Sequence, residues 1–148
     1  MPEDFTLGIA HRRDRADCFA LRRQVFIEEQ GVPEALELDG LDDQATLWIA
    51  RSGSRTVGTA RARIVSGVAK AERVAVLAEQ RGAGVGRSLM AAIEAWAASR
   101  GLQRIALSAQ EAAIPFYLGL GYQARGEFFE DAGIPHRAME KSLATARD

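Results

Sequence analysis

Between the apolar run VAVLA and the helical pattern that begins at Val85 stand three glycines, Gly82, Gly84 and Gly86, in the stretch RGAGVGRSLM. The run before them reads as a strand. After them Val85, Leu89, Ile93 and Trp96 recur at i, i+4, i+8 and i+11, an amphipathic helix that Gly101 stops. A glycine-rich turn that opens a helix aims several backbone N–H groups outward, and the helix dipole adds partial positive charge there. Such a turn suits a phosphate.

Two familiar uses of this turn fail on the residues. A Walker loop would end at Gly86-Arg87-Ser88, with arginine where lysine belongs and Arg81 where the opening glycine belongs. A dinucleotide fingerprint begun at Gly82 or Gly84 meets Arg87 or Leu89 at its third glycine, and no acid follows about twenty residues on. What remains is R-x-x-G-x-G, formed by Arg81, Gly84 and Gly86. The bland alternative is a tight strand-to-helix turn, which seldom needs three glycines flanked by Arg81 and Arg87.

Along the chain, Phe5 to Ala10 reads as a first strand, and Asp14 caps a helix expected to reach about Glu28 with Cys18, Leu21 and Val25 on one face. Cys18 on that stripe is a packing residue. Gln30 to Gln44 carries Gly31, Pro33, Gly40 and the acids Glu34, Glu37, Asp39, Asp42 and Asp43, so it is expected to be a loop with a short helical piece. Its charge run is expected to face water, the sharper alternative being an acidic acceptor site.

Thr46 to Arg51, Thr56 to Val65 and Val68 to Leu77 form a predicted antiparallel meander through SGSR and Ser66-Gly67. A two-residue turn at Ser66-Gly67 sets Arg61 opposite Glu72. Arg104 to Ser108 is a strand, Ala112 to Leu120 a helix with Pro115 in its first turn, and Gln123 to Phe129 and His136 to Leu143 are strands separated by EDAGIP, before a polar tail ATARD. Trp48 and Trp96 are expected in the core. The order specifies an α+β chain, one domain over residues 1–148, around a single mixed, mostly antiparallel sheet flanked by helices.

Composition narrows the function. With 19 basic against 20 acidic residues there is no footprint for nucleic acid. Cys18 is the lone cysteine beside His11 and His136, so neither a disulfide nor a metal site is expected. The opening MPEDFTLGIA lacks a signal-peptide core and no run approaches a membrane span, so a cytoplasmic chain without membrane attachment is expected.

RVAVLAEQRGAGVGRSLM, followed by LSAQEAAIPFYLGLGY at 107–122, resembles the GNAT superfamily of N-acetyltransferases over nearly the whole chain. RRQVFIEEQGVPEALELDGLDD at 22–43 and GIPH at 133–136 resemble, more loosely, its small bacterial ElaA-like branch. The resemblance implies a GNAT-like fold and acetyl-CoA as cosubstrate, with the pyrophosphate on Arg81, Gly82, Gly84, Val85, Gly86 and Arg87. It implies that the pantetheine arm pairs with the backbone of Val74 and Val76, and that Gln110, where many members have asparagine, contacts that arm.

By the same match Tyr117 is the acid for the leaving thiolate; the competing reading is a half-buried core tyrosine. Glu72 corresponds to a frequent base position, with ion pairing to Arg61 as its competing role. Glu28, Gln30 and His136 are candidates for the acceptor side, although a lone histidine is more often a structural hydrogen bonder. The acceptor implied is a small-molecule amine or a protein amine, and the family also admits a homodimer. A non-catalytic coenzyme A or acyl-CoA binding module is the rival to the enzyme.

Overall fold

The computed structural model describes residues 4–143; the tail at 144–148 lies outside the described residues. Seven strands form one sheet: β1 (Thr6–Ile9), β2 (Thr46–Ser52), β3 (Arg55–Val65), β4 (Val68–Val76), β5 (Arg104–Gln110), β6 (Gln123–Asp131) and β7 (Ile134–Ser142), in the order β1-β2-β3-β4-β5-β7-β6. Every pairing is antiparallel except β4 with β5. Helices α1 (Arg15–Arg22), α2 (Glu34–Glu37), α3 (Val85–Ser99) and α4 (Ile114–Gly119) accompany it, with a π-helical continuation of α1 over Arg23–Glu29.

Helix α3 buries Val85, Leu89, Met90, Ile93 and Ala97 almost completely. Burial of each of the larger side chains contributes about 1.5–3 kcal/mol. The helix ends where Gly101, at φ +75°, turns left-handed and the N–H groups of Gly101 and Leu102 reach the carbonyls of Ala98 and Ala97. Its start presses on β3 at Gly58, where a Cβ would come within 2.6 Å of Val85 Cγ1 and 3.2 Å of Leu89 Cδ1. Gly58→Ala is therefore expected to cost about 1–3 kcal/mol by overpacking. An unchanged denaturation midpoint would show that α3 lifts freely.

Ser66 and Gly67, at φ +50° and +77°, make the two-residue turn that joins β3 to β4, and Arg61 pairs with Glu72 in register as expected. Thr59 then pairs with Ala75, so one extra residue bulges from β4 between Glu72 and Ala75, where Arg73 has φ +55°. Residues opposite one another in a ladder share a face. Glu72 therefore faces the side of Arg61, whereas Val76, opposite Gly58, faces α3. The simple alternation that would put Glu72, Val74 and Val76 on one side fails at the bulge.

Other boundaries also differ from expectation. The first helix becomes π-helical at Arg23, with the Gln30 N–H bonded to the carbonyl of Val25, five residues back. Strand β5 continues two residues past Ser108 because β7 pairs with it as far as Gln110, which faces His136; Gln110 is thus a strand residue and not part of a turn. Trp48 is buried and meets the partly buried Trp96 edge-on at 5.4 Å.

Candidate active site

Strands β4 and β5 pair only at Ala69–Ile105 and Lys70–Ala106, and from there they part. The wedge opens into a cleft of about 620 Å³. Such a volume suits a small-molecule ligand. Val74 and Val76 line one wall and Ser108 and Gln110 the other, and the glycine turn and His136, which pairs with Gln110, line it as well. Parted strands leave backbone groups without sheet partners, and an extended ligand arm can supply them.

Gly84, at φ +91°, is the residue before α3, and no side chain caps that terminus. Gly82, at φ +90°, and Gly84 would each direct a Cβ into open space, so what requires glycine at both is the left-handed backbone. The uncapped N–H groups of a 15-residue helix therefore face the cleft side unobstructed. A Cβ on Gly86 would approach the Phe116 ring to 3.3 Å, which holds α3 and α4 close together. These features fit a pyrophosphate.

Arg87 is exposed, lines the cleft and makes no hydrogen bond or ion pair among the described residues. Arg81 is engaged differently: its guanidinium donates to the Val76 carbonyl at 3.1 Å and grips Glu29 at 2.6 and 2.9 Å. It braces the turn against the π-helical segment. Val85, expected at this site, does not line the cleft, because its side chain is buried against β3.

Helix α4 follows β5 directly and sets Tyr117 in the cleft wall, 8% exposed, between Phe116 and Tyr122 at ring distances of 5.0 and 5.7 Å. Its hydroxyl has no hydrogen-bond partner among the described residues. Burial pushes the phenol up to about 12, so it keeps its proton throughout the neutral range.

On the opposite side Gln110 donates to Gln30 at 2.7 Å, joining β5 to the π-helical segment across the cleft. His136 is 9% exposed, stacks on Phe129 at 5.9 Å, and has Nδ1 2.7 Å from the Ile134 carbonyl. Gln30 and His136 thus both reach the cleft, whereas Glu28 is exposed and does not line it. The widened turn spends its cleft-facing positions on Val25, Phe26 and Gln30.

Glu72 lines the cleft but is occupied. Arg61 reaches it at 3.0 and 3.2 Å, and Arg63 at 2.7 and 2.9 Å. Burial pushes its pKa up, but the guanidiniums of Arg63 and Arg61 outweigh that and hold it below the usual carboxylate value, so the carboxylate stays ionised and is a poor proton acceptor. Ion pairing, its competing role, is the one the geometry supplies.

That pair belongs to a larger network which the sequence reading missed. Arg61, 1% exposed, also holds Asp39 through two bonds at 2.8 and 2.9 Å and reaches Asp42 at 3.3 Å. Arg22 holds Asp42 at 2.6 Å and Glu37 at 3.1 Å, and Arg73 binds Glu37 and Asp39. The acidic segment therefore does not simply face water: Glu37 and Asp42 are buried against arginines. A signal existed, since Arg22 sits four residues after Cys18 on the apolar stripe and a charge there requires buried partners.

Fold and cleft together define a protein built to hold an acyl-CoA thioester. Residues 10–143 match the family model described as "Acetyltransferase (GNAT) domain". The chain belongs to this family of acyl-CoA-dependent acetyltransferases. It is 42% identical to YjcF of Bacillus subtilis, described as an uncharacterized N-acetyltransferase, over 84% of this chain and 90% of that one. Among solved structures, an acyl-CoA N-acyltransferase from Pseudomonas aeruginosa superposes with a TM-score of 0.80 at 26% identity, covering 93% of this chain and 98% of that one. Escherichia coli ElaA shares the fold, with a TM-score of 0.80 at 24% identity and the same coverages of 93% and 98%.

Proposed function

We propose that this chain moves an acetyl group from acetyl-CoA to a primary amine by direct attack while both substrates lie in the cleft. The observation that carries the reading is the parting of β4 and β5 directly in front of the uncapped start of α3, with Tyr117 in the same wall. The pyrophosphate is seated on the N–H groups of the 82–87 turn with Arg87 beside it, and Arg81 stiffens the turn. The pantetheine arm pairs with β4 around Val74, and Gln110, released from Gln30, turns to that arm.

An amine nitrogen held at the thioester bonds to the carbonyl carbon, the C–S bond breaks, and the sulfur leaves with the electron pair. Tyr117, kept protonated by burial, supplies the proton that sulfur takes. Holding both reactants in one cleft provides most of the orientation. The reading includes action as a single domain in the cytoplasm on a small-molecule or protein amine. No helix among the described residues is long and apolar enough to cross a membrane, and no described cluster of His, Cys, Asp and Glu is placed to hold a metal.

Release of free thiol from acetyl-CoA across a mixed amine panel tests the proposal, alongside calorimetric binding of acetyl-CoA. Amine-dependent thiol release is expected. Tight binding with no turnover against any amine would replace the enzyme with the coenzyme A binding module.

A further inference from the structure

We infer that His136 is the group that takes the proton from the acceptor amine, an assignment that rests on the acetyltransferase reading. A carbonyl oxygen can only accept, so the 2.7 Å contact with Ile134 requires Nδ1 to carry the proton. In the neutral ring Nε2 then holds the lone pair. That nitrogen has no hydrogen-bond partner among the described residues, and His136 lines the same cleft as Tyr117. The ring is oriented twice, by the Ile134 carbonyl and by Phe129 stacked at an interplanar angle of 25°. A base whose other nitrogen is pinned by a backbone acceptor is fixed in tautomer and direction.

The carboxylates nearby are worse placed. Glu72 and Glu37 line the cleft but are held by arginines. Asp131 stands exposed at the end of β6. No ion pair joins His136 to these groups, to Glu111 before α4, to Glu130 on β6, to Lys70 on β4, or to its neighbour Arg137, which donates instead to the Gly126 carbonyl. Asp131 also lines the cleft without a partner but is exposed, whereas His136 is buried and offers an uncommitted imidazole lone pair among the described residues.

In the step, the amine N–H proton passes to Nε2 as the N–C bond forms. The C–S bond breaks with its electron pair on sulfur, and sulfur takes the Tyr117 proton. The imidazolium then returns a proton, through solvent, to the phenolate. Protons and charge balance over one turnover.

The test has a readout independent of turnover. The chain contains two histidines, His11 and His136, so long-range nitrogen–proton spectra can be assigned by comparison with His136→Gln. The Nδ1–H tautomer is expected for His136 in the neutral ring; the Nε2–H tautomer would overturn the assignment. In thiol release, His136→Gln is expected to lower kcat/KM by about 10²-fold or more with acetyl-CoA affinity unchanged. His136→Ala should recover part of the loss with added imidazole, which a packing role would not permit. Full activity in His136→Gln, or loss in His136→Ala without rescue in a folded protein that binds acetyl-CoA, sinks the base. A wild type that binds acetyl-CoA but acetylates no amine overturns both the base and the function beneath it.

Discussion

Tyr117→Phe is expected to lower kcat by about 10²- to 10⁴-fold while acetyl-CoA binds as before. The substitution is clean for a structural reason. The Tyr117 hydroxyl has no partner among the described residues, so its removal leaves no orphaned group there, and phenylalanine keeps the ring contacts with Phe116 and Tyr122. Stability should change by no more than about 0.5 kcal/mol. With the phenol pushed up to about 12, the wild-type pH–rate profile should show no fall attributable to Tyr117 up to about pH 11. Equal turnover in the two proteins would remove Tyr117 from the chemistry and leave it a core residue.

The second large effect is on stability. Arg61→Met should cost about 3–5 kcal/mol, because it strips the shared counter-charge from Asp39, Asp42 and Glu72. A domain this size has only about 5–15 kcal/mol in total. Arg61 holds the Asp39 carboxyl well below its usual range; in Asp42 and Glu72, burial acts upward but is outweighed by Arg22, Arg63 and Arg61.

For groups depressed in the folded state, the stabilisation is complete above the unfolded values near pH 4 and is lost as pH falls through the folded ones. Denaturant titrations at pH 7, 4 and 3 should therefore show a steep loss below pH 4 in the wild type and a shallower one in Arg61→Met. Parallel pH curves for the two proteins would mean that Arg61 is not what holds these carboxylates.

What could be read in advance depended on how local the determinant was. The glycine turn, α3 and the β3–β4 register are set by neighbours in the chain: three glycines, an apolar stripe, and a two-residue turn that counts Arg61 onto Glu72. The bulge is not local in that sense. Arg73 takes the left-handed backbone without a glycine to mark it, and its guanidinium is tied to the carbonyls of Leu36 and Glu37, far off in sequence. The π-helical turn was hidden because a five-residue hydrogen-bond spacing uses the same residue types as a four-residue one.

That Tyr117 and the glycines line one cleft was legible from motif position, whereas the committed state of Glu72 required knowing where Arg63 points. Glu28 and Glu29 are adjacent acids that the sequence does not separate; the structure sends one to solvent and the other to Arg81. His136 was legible as a residue but not as a tautomer, because the Ile134 carbonyl that fixes it belongs to the backbone.

The bare position at Gly58 acts as a depth gauge. With no side chain there, Val85 rests directly on β3, and Val85 is the first residue of the helix whose uncapped terminus opens on the cleft. The height of that terminus above the sheet is therefore set by an absent methyl group in a strand that does not line the cleft. A methyl at position 58 would raise that terminus while β4 and Tyr117 stayed in place, so, on the proposed function, a Gly58→Ala protein that still folds should bind acetyl-CoA out of step with its own reaction centre.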